Sequence, residues 1–370
     1  MVGSHCKKMR CGVLLVNIGT PDAPRTKEVR KYLRQFLSDP RVLDISPIVR
    51  AFVLNLMILP FRSAKSASAY RIIWTDKGSP ITVCGEEFTR RIQKRLDEEF
   101  PDRFTVKLAM RYGSPSIEQA MDEFQSAGIG TIRVFPLYPQ YASATVGSTM
   151  EEVFRVASKY WNVPNITTLP LFYDHPRFIK SFADVARENI DVEEFDHFLF
   201  SFHGLPERHI IKSDLTHGKY CLAEKDCCTK IGKINSFCYR AHCYATARLI
   251  SQELGLSGNQ YSVSFQSRLG RDPWLKPYTD VLLETLPKRG IKRLAIFSPA
   301  FVADCLETIE ELGIRGAKDF LAAGGEKCVL VPSLNLHPTW IETAVDLIVA
   351  SDLPLQTDHE AELIPGFSKS

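Results

Sequence analysis

The sequence has little excess of either charge, because 46 basic and 43 acidic residues leave a formal net charge of +3. A protein that binds nucleic acid usually concentrates a much larger basic excess on one face, so the composition does not favour such a partner. The sequence also lacks an uncharged apolar run of about 20 residues, the length of a membrane-spanning helix, and we identify no secretory signal. With 45% hydrophobic and 24% charged residues, we expect a globular cytoplasmic protein without nucleic-acid partners.

The most apolar stretch, residues 47–61, is fifteen residues long and contains Arg50. By length it falls short of a span, and two interpretations remain open. It can form a buried core helix. It can also form an exposed apolar lip that admits a hydrophobic substrate and contacts the inner face of a membrane peripherally.

Short apolar segments alternate with segments of helical periodicity, which is typical of an α/β fold with parallel sheets. Two pairs of segments repeat: residues 14–21 resemble residues 199–206, and residues 128–135 resemble residues 290–297. Members of the first pair are a strand followed by x-Gly-x-Pro, and members of the second are a buried strand after a helix. The repetition predicts two similar halves.

We expect these units along the chain: a first half at 10–165, a second half at 166–335 with a cysteine-rich insert at 214–243, a helix at 336–352 packed on the first half, and a tail at 353–370. In open parallel sheets, ligands bind at the carboxyl ends of strands. The loops that follow Asn17, Phe135, Phe202 and Phe297 are therefore expected to line one cleft between the halves.

His203 follows a predicted strand and precedes Gly204, which places its imidazole at the expected cleft. Its near-neutral pKa suits the acceptance of a proton. A histidine at a strand end can equally be a structural hydrogen-bonding residue, and the sequence alone leaves both roles open.

An acidic group lies just beyond the strand at residues 290–297. The spacing predicts that Asp304 opens a helix on which Asp304, Glu307 and Glu311 share one face, with Glu310 on a neighbouring flank. Carboxylates at a helix start are commonly only capping groups. Hard oxygen ligands also suit a divalent metal ion that is passed on and not retained, so an iron route remains open.

Three segments then identify a family resemblance. Residues 201–206 (SFHGLP), 265–275 (FQSRLGRDPWL) and 301–308 (FVADCLET) resemble the signatures of the ferrochelatases, in order and at suitable separations. The resemblance continues outside these signatures and covers nearly all of the chain, through residues 17–21, 73–74, 78–80, 110–115 and 137–141. It implies an α/β protein of two similar Rossmann-like, chelatase-type halves, each a parallel four-stranded sheet flanked by helices, with a porphyrin cleft between them.

The resemblance also implies a reaction, the insertion of ferrous iron into protoporphyrin IX to form protoheme, which is the terminal step of heme biosynthesis and a lyase activity. By position, His203 is the essential histidine, either a proton acceptor or an iron ligand, and Glu307 is the catalytic acid opposite it. Asp304 and Glu311 are candidates for the iron route. The positions expected near the macrocycle are Ile18, Arg111, Tyr112, Gln266, Ser267 and Trp274, and Arg111 is a suitable partner for a propionate.

Five of the ten cysteines lie in the insert, at Cys221, Cys227, Cys228, Cys238 and Cys243. Four of these five can hold a 2Fe-2S cluster or a tetrahedral zinc ion. Because paired C-x2-C knuckles are lacking and several ferrochelatases carry a 2Fe-2S cluster, we favour the cluster. Zinc, free thiols and disulfides remain alternatives.

Other functions remain open at this stage. The chain can be a chelatase for coproporphyrin or for a corrin precursor, or a non-enzymatic iron-sulfur or heme-responsive binding protein on the same fold. The sequence also leaves open whether the protein is a monomer or a homodimer.

Overall fold

Two parallel sheets of four strands form the framework of the computed structural model, which describes residues 10–268, 270 and 272–350. The tail expected at 353–370 lies outside the described residues. The first sheet contains β1 (Cys11–Gly19), β2 (Phe104–Tyr112), β3 (Thr131–Pro136) and β4 (Asn165–Thr168). The second contains β5 (His197–His203), β6 (Tyr261–Gln266), β7 (Arg293–Phe297) and β8 (Lys327–Leu330).

The two sheets have the same topology. Their strand orders are β2-β1-β3-β4 and β6-β5-β7-β8, so each strand of the first sheet has a counterpart in the second. The repeated segments of the sequence fall on β1 and β5 and on β3 and β7, the two central strands of each sheet. The predicted fold class, an α/β protein of two similar halves with parallel four-stranded sheets, is confirmed.

Helices cover both faces of the sheets. The α-helices are α1 (Thr26–Ser38), α2 (Pro47–Phe52), α3 (Leu59–Ile73), α4 (Pro80–Glu99), α5 (Ile117–Ser126), α6 (Ser148–Ala157), α7 (Pro176–Asn189), α8 (Glu207–Ser213), α9 (Tyr239–Glu253), α10 (Thr279–Thr285), α11 (Ala317–Ala322) and α12 (Pro338–Ala350). Three segments are π-helical: Val53–Ile58, Ser143–Gly147 and Glu307–Gly316. Short 3-10 helices occupy Val192–Glu194 and Pro287–Arg289.

Hydrophobic patterning explains how these elements pack. Residues 13–16 of β1 are fully buried, as expected for a central parallel strand with helices on both faces. Helix α4 buries Phe88, Ile92 and Leu96, which recur at helical spacing along one face. The indole of Trp340 stacks on Phe88, with ring centroids 5.6 Å apart, so α12 is fixed against α4 of the first half.

The segment at residues 47–61 does not form a core helix. α2 has no buried residue, and Ile48 is 84% and Phe61 is 78% exposed. The helix is also longer than the sequence predicted, because helical structure continues from Pro47 to Ile73 over 27 residues. By length and composition alone it is long and apolar enough to cross a membrane. Its other face is packed within the protein through Leu59, Ala67 and Tyr70, among others.

Candidate active site

His203 is the last residue of β5, and a single hydrogen bond fixes the chemistry of its ring. Nδ1 lies 2.7 Å from the carbonyl oxygen of Gly204. Because a carbonyl oxygen only accepts hydrogen bonds, Nδ1 carries the proton and Nε2 carries the free lone pair. The structure therefore leaves Nε2 of His203 available to accept a proton or to bind a metal ion.

The end of β6 connects His203 with the acidic helix. His203 pairs with Gln266 across the parallel ladder, and Gln266 Nε2 donates to the carbonyl oxygen of Glu307 over 3.2 Å. The next residue, Ser267, donates from its backbone N–H (3.0 Å) and its hydroxyl (2.5 Å) to the Glu311 carboxylate. Four of the predicted site residues, His203, Gln266, Ser267 and Glu307, are thus brought together with Glu311.

The backbone of Ser267 is strained at this point, since its φ of 64° lies in the left-handed region that non-glycine residues rarely adopt. Such strain is commonly retained where it orients a functional group. Here it presents both donors of Ser267 to one carboxylate. Burial raises the pKa of Glu311, while the hydrogen bond from Ser267 and the electrostatic effect of the His203 side chain oppose that increase.

The helix that carries the acidic residues is a π-helix, Glu307–Gly316, and not the predicted α-helix. The prediction that Asp304, Glu307 and Glu311 share one helix face is therefore wrong. In a π-helix, hydrogen bonds run from i to i+5 and the turns are wider, so residues four or five apart become the nearest neighbours. Glu307 and Glu311 are such neighbours, whereas Asp304 precedes the helix.

Asp304 is held by local hydrogen bonds. Its Oδ2 accepts from Asn335 Nδ2 over 2.7 Å, and its Oδ1 accepts from the Thr308 hydroxyl over 2.9 Å and from the Ser333 backbone over 3.3 Å. Both carboxylate oxygens thus fix the loop before the π-helix. A role for Asp304 in the iron route remains a prediction, and its contacts favour the capping alternative.

Two tyrosines that the sequence did not single out lie beside Glu307. Tyr32 of α1 and Tyr70 of α3 are buried, and both feel the charge of the Glu307 carboxylate. Burial raises the pKa of each phenol well above its usual value, so both remain protonated. Because both belong to the first half, they place Glu307 at the junction of the two halves.

Two further predicted positions border this group. Ile18, near the end of β1, packs with Ala303 and Cys305 just before the π-helix. Trp274 packs against Gly204, where a side-chain Cβ in place of the glycine hydrogen would stand 3.2 Å from the indole and 2.7 Å from the Gln266 carbonyl oxygen. Glycine is needed at this close approach. The structure thus places Ile18 near the start of the π-helix and Trp274 beside the residue that follows His203.

Arg111 and Tyr112 form a separate group at the end of β2. Arg111 Nη2 and the Tyr112 hydroxyl each donate to Asp39 Oδ2 over 2.8 Å, and Arg111 Nε donates to the Ser148 hydroxyl over 2.7 Å. Burial alone would raise the pKa of Asp39, but these hydrogen bonds and the guanidinium charge lower it. Arg111 is already paired with a carboxylate, and its expected contact with a propionate remains a prediction.

A row of aromatic rings joins the two groups. Tyr70 lies 6.5 Å from Tyr32, Tyr32 lies 6.1 Å from Phe36, and Phe36 lies 5.1 Å from Tyr112, measured between ring centroids. The row runs along α1 from the neighbourhood of Glu307 to that of Arg111. A site bordered by such a row of aromatic rings suits a flat hydrophobic ligand with a charged edge.

The five cysteines of the insert are buried, with exposed fractions of at most 8%. Cys227 and Cys228 Sγ atoms lie 3.7 Å apart, and the Cys238 thiol interacts with those of Cys221 and Cys228. Cys243 interacts instead with the Tyr239 hydroxyl. The insert thus brings Cys221, Cys227, Cys228 and Cys238 together, and Cys243 lies near Cys228 with its thiol bonded to Tyr239.

Charge around the thiols favours an anionic centre. Arg240 Nη1 donates to Cys228 Sγ over 3.0 Å, and its guanidinium lies 4.7 Å from the Tyr244 ring. Burial raises the pKa of Cys221 to about 11, so this thiol is protonated without a compensating cation. Among the described residues, no group of three or more His, Cys, Asp or Glu side chains is arranged to hold one metal ion.

Comparison with known proteins identifies the family. The family model described as Ferrochelatase matches residues 10–352. A ferrochelatase of Coxiella burnetii (strain CbuK_Q154) is 45% identical over 332 residues, which cover 90% of this chain and 91% of the relative. One from Bdellovibrio bacteriovorus is 43% identical over 337 residues, covering 91% and 98%, and one from Pseudomonas putida is 42% identical over 336 residues, covering 90% and 97%.

A solved structure shares the fold. SirB from Bacillus subtilis with Fe3+ superposes with a TM-score of 0.50 over 93% of this chain and 96% of SirB, at 12% sequence identity. At that identity the similarity concerns the fold alone.

Proposed function

The chain belongs to the ferrochelatase family, and from this premise we propose that it is an enzyme that inserts ferrous iron into protoporphyrin IX, releasing two protons and forming protoheme. The observation that carries the proposal is the junction of the two halves. There Gln266 and Ser267 connect His203 of β5 with Glu307 and Glu311 of the π-helix. A basic imidazole and two carboxylates meet at the carboxyl ends of parallel strands, where ligands of such sheets bind.

The chemical difficulty is that a flat porphyrin hides its nitrogen lone pairs in the ring plane. A protein that binds the ring in a puckered form exposes them, and contacts remote from the nitrogens offset the strain. We propose that Nε2 of His203 accepts pyrrole protons, because Nδ1 is held protonated by Gly204. Glu307 and Glu311 supply hard oxygen ligands to the incoming ferrous ion.

Insertion assays test this function. The purified protein is incubated with zinc, and separately with ferrous iron under anaerobic conditions, with protoporphyrin or with the tetracarboxylate coproporphyrin. Zinc porphyrin fluorescence or heme absorbance then reports the rate. We expect insertion into protoporphyrin at the higher rate. Faster insertion into coproporphyrin would assign this tetracarboxylate as the substrate. If folded protein inserts no metal, the non-enzymatic binding protein is favoured.

We further propose that Cys221, Cys227, Cys228 and Cys238 hold a 2Fe-2S cluster. Their burial, their mutual contacts and the Arg240 guanidinium beside Cys228 all suit a buried anionic centre. The 3.7 Å between the Cys227 and Cys228 sulfurs matches the roughly 3.8 Å between two thiolates on one tetrahedral metal ion with bonds of about 2.3 Å. Such a cluster supplies a redox-active group, and the cysteines anchor the insert around it.

Metal and sulfide analysis checks the cluster. We expect coloured protein with about two iron and two sulfide per chain. Cys227→Ser should bleach the visible absorbance, because it removes a ligand, whereas Cys328→Ser should not, because that thiol lies on β8 in the opposite part of the second half. Colourless protein containing zinc would show that the cysteines hold a different metal.

We also propose peripheral contact with a membrane through the exposed apolar face of α2 and α3. Ile48 and Phe61 project from this face. The basic residues Arg62 and Lys65 lie one and four positions after Phe61, where they can contact anionic lipid headgroups. Tyr70 lies on the same helix about 14 Å from Phe61, by the usual rise of about 1.5 Å per residue, and adjoins Glu307. An apolar porphyrin can thereby pass from the lipid along this helix to the active site.

Vesicle sedimentation checks this contact. Replacement of both Ile48→Asp and Phe61→Asp is expected to reduce binding to phosphatidylglycerol vesicles at least tenfold, since it puts two charges on the apolar face. Trp161→Asp, at a side chain that is 96% exposed elsewhere, is the matched control and should bind as the unmodified protein does. Equal binding by all three proteins would refute the proposed surface.

A further inference from the structure

Tyr239 forms a direct link between the cysteine-rich insert and the catalytic histidine. It is the first residue of α9 and follows Cys238 immediately. Its hydroxyl donates to the backbone carbonyl oxygen of His203 over 2.8 Å. Two residues that are 36 positions apart in sequence, one beside the thiols and one at the site, are thus joined by one hydrogen bond.

The surroundings of Tyr239 make this bond well defined. The side chain is 6% exposed, and the Cys243 thiol interacts with the same hydroxyl. In such a buried position a hydrogen bond is stronger than at a surface, and water does not readily replace it. Because Nδ1 of His203 is held by Gly204, the backbone at this point also sets the direction of Nε2.

The rest of the insert is fixed to the same helix. Arg240, the residue after Tyr239, donates to Cys228, and Cys238 interacts with Cys221 and Cys228. The start of α9 is therefore tied to three of the four clustered thiols on one side and to the end of β5 on the other. The first turn of α9 therefore contacts both the thiols and the strand end of His203.

We propose that Tyr239 is a positioning residue for metal insertion: it holds the strand end of His203 and makes the turnover rate depend on the occupied cysteine centre. The inference rests on the proposed function and adds to it a structural role for the insert. Tyr239 does not contact the porphyrin in this scheme. Its loss therefore affects the chemical step and leaves porphyrin binding unchanged.

Tyr239→Phe tests the link with the smallest possible change, the removal of one hydroxyl. We expect kcat for zinc insertion to fall about tenfold, the size of effect that accompanies the loss of one buried hydrogen bond, with an unchanged porphyrin KM. Iron and sulfide content should stay as in the unmodified protein. Tyr244→Phe is the matched control, because its hydroxyl lies on the same helix and contacts Arg240 but not His203.

A second variant tests the dependence on the thiol centre. Cys227→Ser should lower kcat in the unmodified background but cause no further loss in Tyr239→Phe, because both changes break one link. If Cys227→Ser is poorly folded by circular dichroism, iron is removed from the two parent proteins with a chelator and the same comparison is made. Normal kcat in Tyr239→Phe, or losses that multiply, would overturn the inference, whereas inactive unmodified protein would instead refute the proposed function.

Discussion

His203→Ala is expected to lower the rate of metal insertion by at least about 100-fold, the lower end of the usual contribution of a positioned general base. The side chain supplies the one free imidazole nitrogen at the junction of the halves, since Nδ1 is committed to the Gly204 carbonyl. Without Nε2, pyrrole protons must pass to water or to a carboxylate that is also needed by iron. Zinc porphyrin fluorescence under saturating porphyrin gives the rate.

The control for this variant is His217→Ala. His217 lies exposed in the insert, so its removal should leave turnover unchanged. Circular dichroism and the visible spectrum establish that both variants are folded. Turnover of His203→Ala within threefold of the unmodified protein would show that proton transfer takes place elsewhere.

Glu307→Gln is expected to have an effect of similar size. The substitution keeps the shape of the side chain but removes its charge, which the ferrous ion needs at the point where it leaves water. The Glu307 carboxylate acts electrostatically on Tyr32 and Tyr70 of the first half, and Gln266 of the second half donates to its backbone carbonyl oxygen. The neighbouring carboxylate of Glu311 is already bonded twice by Ser267.

Glu310→Gln provides a matched control three residues along the same π-helix. Its carboxylate pairs with Arg315 over 3.2 Å. We expect near-normal insertion from this variant at both low and saturating zinc. If Glu307→Gln and Glu310→Gln had equal rates, the acidic role would have to move to Glu311.

The sequence predicted the framework of the fold because its repeated segments are the central strands. β1 and β5 must be apolar on both faces, and the x-Gly-x-Pro that follows each strand marks the turn out of the sheet. These are local signals of period and turn chemistry. Equal strand order in the two sheets then follows from the repetition.

The candidate site was predictable only in part, because many of its contacts are not local in sequence. His203 and Glu307 stand beside recognisable strand ends, whereas Tyr32 and Tyr70 reach Glu307 from helices about 240 to 275 positions earlier. The sequences of α1 and α3 give no sign of that proximity. Tyr239 was missed in the same way, because its hydrogen bond to His203 joins residues that are 36 positions apart.

The error on the acidic helix has a physical cause. The spacing of Asp304, Glu307 and Glu311 was interpreted with the period of an α-helix, and nothing in these side chains identifies the wider π-helical turn. The helix from Pro47 was underestimated for a different reason. Its apolar composition weakens after Phe61, but its backbone continues through Ser63 and Ala67, which pack inward.

The bond between His203 Nδ1 and the Gly204 carbonyl has a consequence for the order of events. A ring with one lone pair cannot hold a proton and a metal ion at the same time. Deprotonation of the macrocycle by this imidazole and coordination of iron by the same imidazole must therefore occur one after the other. The ferrous ion stays bound to oxygen ligands until the imidazole has released its proton to solvent. His203 can thus act both as a base and as an iron ligand only at different times in one turnover.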